Sequence, residues 1–109
     1  MAETFKNAKL ALTTSSATIY TCPPATTAIV LMAQMANKHA ANEGDGTVTW
    51  IDSSDSNVEM ELIKNATVVA GSSLAVVSGK FILEAGDSIK GLASAIDTLV
   101  ITLSILEIS

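Results

Sequence analysis

The chain has 109 residues, 49% of them hydrophobic and 16% charged, with a formal net charge of −5. That length holds one domain around one core, and so small a charged fraction leaves more apolar surface than an isolated small globule needs, which places some of it at an interface. The six basic residues are all Lys, so an acidic chain without the planar guanidinium fork is a poor partner for nucleic acid, and no apolar run approaches the about 18 residues of a membrane span.

The opening Met1-Ala2-Glu3-Thr4-Phe5-Lys6 has neither the basic start nor the apolar run of a secretory signal, so synthesis in a cytoplasm is the expectation. Phe5 to Leu12 and Ala17 to Thr21 read as strands joined through Thr13-Thr14-Ser15-Ser16. Cys22-Pro23-Pro24 ends the second, because proline has no amide to give a ladder. Thr26 to Met35 alternates again, with Ile29, Leu31, Ala33 and Met35 on one side and Val30 and Met32 on the other. Residues 29–41 are also rich in Ala, Leu, Met, Gln and Lys, so helix competes with strand there; the β-branched Thr26, Thr27, Ile29 and Val30 favour extension.

Asn42-Glu43-Gly44-Asp45-Gly46 is a turn, Thr47 to Ile51 alternates after it, and the segments on either side are expected to pair as a long hairpin. Asp52 to Asn57 is a polar loop. Val58, Met60 and Leu62 then face one way while Glu59 and Glu61 face water. Thr67 to Ala70 and Leu74 to Ser78 flank Gly71-Ser72-Ser73, Lys80 to Glu84 follows Gly79, and Ala85-Gly86-Asp87 turns the chain into Ser88 to Ala93.

The last segment, Thr98 to Ile108, alternates like a strand but is apolar on both faces. Leu99, Ile101, Leu103 and Ile105 line one side, and Val100, Leu106 and Ile108 interrupt the other. Such a strand needs cover on both sides, from an opposing layer of the same domain or from another subunit. With no room for βαβ crossovers, the fold class is all-β: an antiparallel β-sandwich of jelly-roll or Greek-key type, with about 8–10 short strands in a single domain spanning residues 1–109.

No constellation for chemistry emerges, so no enzyme activity, cofactor or metal is expected. Cys22 is the only cysteine and His39 the only histidine; they read as a buried thiol and a surface imidazole, with no spacing for a zinc site or a triad. The loop Asp52-Ser53-Ser54-Asp55-Ser56-Asn57 lacks the carboxylate spacing of a calcium loop. Neither Gly71-Ser72 nor Gly86-Asp87 matches a phosphate cradle. Trp50, Phe81, Phe5 and Tyr20 are too few and dispersed for a stacking platform and read as core or interface anchors.

The opening Thr4-Phe5-Lys6-Asn7-Ala8, the segment Tyr20-Thr21-Cys22-Pro23-Pro24-Ala25-Thr26-Thr27-Ala28-Ile29-Val30, and the closing Leu83-Glu84-Ala85-Gly86-Asp87-Ser88-Ile89 and Leu103-Ser104-Ile105-Leu106-Glu107-Ile108 resemble a family of small virion structural proteins of marine tailed bacteriophages, including cyanophages. The resemblance implies a non-enzymatic β-sandwich component of the particle, most simply a capsid decoration or cement protein that forms a homotrimer and clamps the major capsid protein. Small subunits across capsid junctions gain by avidity. On this reading Val100, Thr102, Ser104 and Leu106 supply the subunit contact, with Phe5 and residues 1–5 as an N-terminal arm onto the shell. The alternatives are a tail, neck or fibre component, and a host-surface module reading glycan or receptor through Trp50 and the 52–57 loop.

Overall fold

The structure, a computed structural model, describes residues 2–77 and 79–109. Met1 of the expected arm and Ser78 of the expected 74–78 strand lie outside them. In chain order the strands are β1 (Glu3–Ala11), β2 (Ala17–Thr21), β3 (Thr27–Asn37), β4 (Gly44–Asp52), β5 (Val58–Val68), β6 (Ser73–Ala75), β7 (Phe81–Leu83), β8 (Ser88–Ala93) and β9 (Leu99–Ile108), with a 3-10 turn at Ser53–Asp55.

All pairings are antiparallel and fall into two sheets. The first has the order β1-β9-β3, with β7 and β6 one after the other along the far edge of β3, and the second has the order β2-β8-β4-β5. Consecutive strands mostly alternate between sheets and the last strand returns beside the first. That is a jelly roll with one strand position filled by two short pieces, so the sandwich expected from alternation and turn spacing is the fold observed.

Inward positions build one core between the sheets: Ala28, Val30, Ala33 and Met35 of β3, Leu99, Ile101, Leu103 and Ile105 of β9, and Val48, Ile89 and Ala93 from the second sheet are all buried. Gly46 marks a close approach, since a Cβ there would lie 2.4 Å from Met35 Sδ. A side chain there would force the thioether end of the buried Met35 to move.

Residues 29–37 are extended despite their helix-prone composition, because β3 bonds to β9 on one edge and to β6 and β7 on the other and packing overrides propensity. Two expectations are corrected. The 29–41 segment does not form a hairpin with residues 47–51: β3 lies in the first sheet and β4 in the second, where β4 pairs with β5 and β8. The side assignment within β3 also changes, because a register shift between Val30 and Met32 resets the alternation and puts Val30 on the same side as Ala33 and Met35. Near Val58, β5 runs beyond the cover of the first sheet, leaving Val58 and Met60 44% and 56% exposed where the alternation predicts a dry face.

Candidate assembly surface

The outer face of the first sheet is built by the residues that alternate with the core. On β9 these are Val100, Thr102, Ser104, Leu106 and Ile108, half-buried or exposed. The register sets Phe5 opposite Leu106, Leu106 opposite Ile29, and Ile29 opposite Ile82, so four apolar side chains from four strands form one row across the sheet. Phe5 is 75% and Ile82 59% exposed, and Leu31 and Met32, at the β3 irregularity beside the row, are also exposed. Shallow depressions of about 310, 250 and 530 Å³ open on this sheet, beside Met32, Phe5 and Val100 respectively.

Charge separates the two outer faces. On the first sheet the outward positions of β9, β3, β6 and β7 carry no charged residue, and Glu3 and Lys9, both on the edge strand β1, are the charged ones among the described residues. The second sheet presents Lys90 bonded to Glu59 at 2.8 Å, with Glu61 alongside. Depletion of charge with an exposed aromatic and aliphatic row is the composition of an interface centre, and a charged sheet is that of a solvated one.

The sequence-read contact residues Val100, Thr102, Ser104 and Leu106 share this face, and Phe5 joins them through its pairing with Leu106. Residues 2–5 do not project as an arm. Glu3, Thr4 and Phe5 belong to the β1 ladder, and Ala2 exchanges backbone bonds of 2.9 Å with Ser109. Ile29, Met32 and Ile82 are the contributors that the strand-by-strand reading did not single out, because only the cross-strand register reveals the row.

At the inward edge of the same end, Glu107 is buried on β9 and accepts a hydrogen bond from Tyr20 Oη at 2.5 Å, while Lys6 Nζ lies 3.1 Å from its other oxygen. Tyr20's bond and then Lys6 outweigh burial and hold the Glu107 carboxyl below the usual range. Burial, reinforced by Glu107, pushes the Tyr20 phenol well above its ordinary value. The signs are opposite: the Glu107 contribution is complete above the unfolded carboxylate value of about 4 and fades as pH falls through the lower folded value. The Tyr20 contribution is complete below about 10 and fades above it. Tyr20→Phe is expected to lower stability by about 1–2 kcal/mol at pH 7 and to raise the Glu107 carboxyl toward its ordinary value, both readable by urea titration and carboxyl NMR across pH.

The remaining sequence candidates are occupied by structural contacts. Cys22 is buried, its Sγ donates to the Thr26 carbonyl at 3.2 Å, and burial raises its thiol pKa. His39 Nδ1 accepts from the Ala41 and Asn42 amides at 3.1 and 3.0 Å, closing a turn. Trp50 donates Nε1–H to Asp87 at 3.3 Å and meets the Phe81 ring edge-on at 5.5 Å. Asp52, Glu84 and Asp87 bring carboxylate oxygens within 4.8 Å of one another, but both Asp87 oxygens and Asp52 Oδ1 already accept protein donors.

No protein-family model and no curated protein matches the chain in sequence. The fold does match solved structures. The chain superposes with a TM-score of 0.58 and 12% identity on a chain of the Bacillus endospore appendages, described as disulfide-linked pili, covering 99% of this chain and 87% of that one. It superposes with a TM-score of 0.58 and 5% identity on a chain of the T13 IBDV viral particle, and with 0.53 and 6% on one of infectious bursal disease virus Gx strain, covering 96% and 98% of this chain. It spans 30% of each viral chain. At these identities the likeness is one of fold: this jelly roll is found in chains of a pilus and of virus particles.

Proposed function

We propose that the chain is a non-enzymatic structural subunit of a virus particle, synthesised in the host cytoplasm and placed on the virion. More narrowly, it is a capsid decoration or cement protein of a tailed bacteriophage, trimeric and seated on the major capsid protein. The observation that carries this reading is the charge-poor outer face of the first sheet with its Phe5-Leu106-Ile29-Ile82 row, on a fold shared with virus-particle chains. A face this poor in charge gains most when covered, and repeated modest contacts on a shell add through avidity.

A second reading, a filament subunit, is favoured by the pilus likeness, which covers nearly the whole of both chains. Cys22, the sole cysteine, is buried, so such a filament would be held by non-covalent contacts. Native mass spectrometry at micromolar protein, paired with electron microscopy, tests both. Wild type is expected to assemble through closed trimers. Leu106→Asp and the more exposed Ile82→Asp are expected to abolish the three-fold contact in a folded protein, with unchanged far-UV circular dichroism. Extended filaments would transfer the assignment to the second reading. A wild-type monomer that fails to bind shells lacking it would overturn both.

A further inference from the structure

We infer that β1 is a self-docking edge: two copies join β1 to β1, antiparallel, across a two-fold axis at Lys6, so that their first sheets become one continuous sheet. This contact lies at the sheet edge, is separate from the face contact proposed above, and holds whichever assembly the chain builds.

The backbone accounting comes first. Ala2 N–H donates to Ser109 O and Ser109 N–H to Ala2 O, both at 2.9 Å, and Leu12 N–H donates to Leu99 O at 2.9 Å. In an antiparallel ladder alternate residues bond to alternate sides, so the even-numbered residues of β1 are satisfied by β9. The N–H and C=O of Glu3, Phe5, Asn7 and Lys9 point off the sheet. The β1–β9 register runs through nine residue pairs without a shift, and β1 holds no residue in the left-handed region. The result is a straight, open template of the kind that proteins normally blunt.

The other edges among the described residues are blunted. The β2 strand has five residues, a register shift between Thr18 and Tyr20, and Pro23-Pro24 just beyond it, while β6 and β7 have three residues each. Self-pairing of β5 over residues 58–62 would set Glu59 against Glu61, or either against itself, and left-handed Asn65 (φ 48°) bends the remainder. In β1 the charged pairs flanking the centre are of opposite sign, and the central Lys6 is neutralised by its own Glu107. Pairing centred on Lys6 sets Glu3 against Lys9 of the second copy and Lys9 against its Glu3, bonds odd residue to odd residue where the free backbone groups are, and brings the two exposed Phe5 rings diagonally together across the axis. The two Lys6 side chains meet at the axis, each already held by its own Glu107 at 3.1 Å.

Sedimentation velocity with a charge swap tests this. Glu3→Lys and Lys9→Glu are each expected to weaken the edge contact about ten-fold, by turning two opposite-charge pairs into like-charge pairs, and the double swap is expected to restore it to within about three-fold of wild type. In this register Lys6 forms a non-hydrogen-bonded pair with Cα atoms about 4.5 Å apart, close enough for a disulfide. Lys6→Cys is therefore expected to give a covalent dimer on oxidation, with buried Cys22 not competing. Leu106→Asp, which breaks the face contact, is expected to leave that crosslink intact, so the two contacts fail separately. A double swap no better than either single, or a folded Lys6→Cys protein that stays uncrosslinked, would overturn the proposal.

Discussion

Asp87→Ala is expected to lower stability by about 3–5 kcal/mol in urea unfolding at pH 7, because four part-buried donors lose their shared, fully buried acceptor. Asp87 is fully buried. Its Oδ1 accepts from the amide and hydroxyl of Ser53, each at 3.0 Å, and its Oδ2 from the Glu84 amide at 3.0 Å and Trp50 Nε1 at 3.3 Å. The carboxylate thus fastens the β7–β8 turn to the end of β4 and sets the ring that packs on Phe81. Burial alone would raise its pKa; the amide of Glu84, then Ser53 and Trp50, outweigh burial and hold it below the usual carboxylate range. Its stabilisation is therefore complete above the unfolded value of about 4 and declines as pH falls through the lower folded value. Asp87→Asn keeps the shape but turns an amide nitrogen toward donors, so about 2–3 kcal/mol is expected, together with a shallower loss of stability in acid than wild type.

How much of this was legible in the sequence depends on whether the cause was local. The β9 segment was readable because alternation along one strand is a local signal: Leu99, Ile101, Leu103 and Ile105 are buried, and the apolar interruptions on the other side mark the outer face. The row they belong to was not readable, since Ile29 and Ile82 join Leu106 only through pairings between distant segments. The expectation of an arm at residues 1–5 rests on the virion resemblance; Ala2 to Phe5 are held by the backbone ladder with β9, which periodicity does not see. The β3 irregularity at Leu31 likewise leaves no mark in an uninterrupted run of apolar residues. Asp87 sat in a turn signal, Gly86-Asp87, whose chemistry explains the turn but not the burial that Ser53 and Trp50 impose from another sheet position. The misread hairpin has the same origin: the chain reverses over residues 38–43, Gly44 to Gly46 already belong to β4 where the sequence predicts the turn, and a jelly roll uses that connection to change sheets.

That change of sheets is where the second large loss is expected, with Asn37→Ala lowering stability by about 2–4 kcal/mol. Asn37, 3% exposed, ends β3 in the first sheet. Its Nδ2 donates to the carbonyls of Asn42 at 2.9 Å and Val68 at 2.8 Å, and its Oδ1 accepts from the His39 amide at 2.8 Å. Its backbone adds an N–H bond to Ser72 O and accepts one from Gly71 N–H, so one side chain and its peptide tie β3 to the crossover loop, to the end of β5 in the second sheet, and to the turn before β6. Alanine leaves the buried Val68 carbonyl, and the part-buried Asn42 carbonyl and His39 amide, without these partners. Asn37→Asp separates the donor from the acceptor role: it keeps Oδ1 for His39 but sets a carboxylate oxygen against two carbonyls. It is expected to be at least as damaging as alanine at pH 7 and to recover as pH falls, because protonation supplies one donor and removes the charge. Amide hydrogen exchange checks the mechanism. Residues 38–43 and 68–72 are expected to lose protection in Asn37→Ala, while the β1–β9 ladder, which Asn37 does not hold, keeps its protection until global unfolding. If so, the variant weakens the fold at its sheet-crossing corner without altering the outer face of the first sheet, and its assembly is expected to match wild type once the loss of folded protein is taken into account.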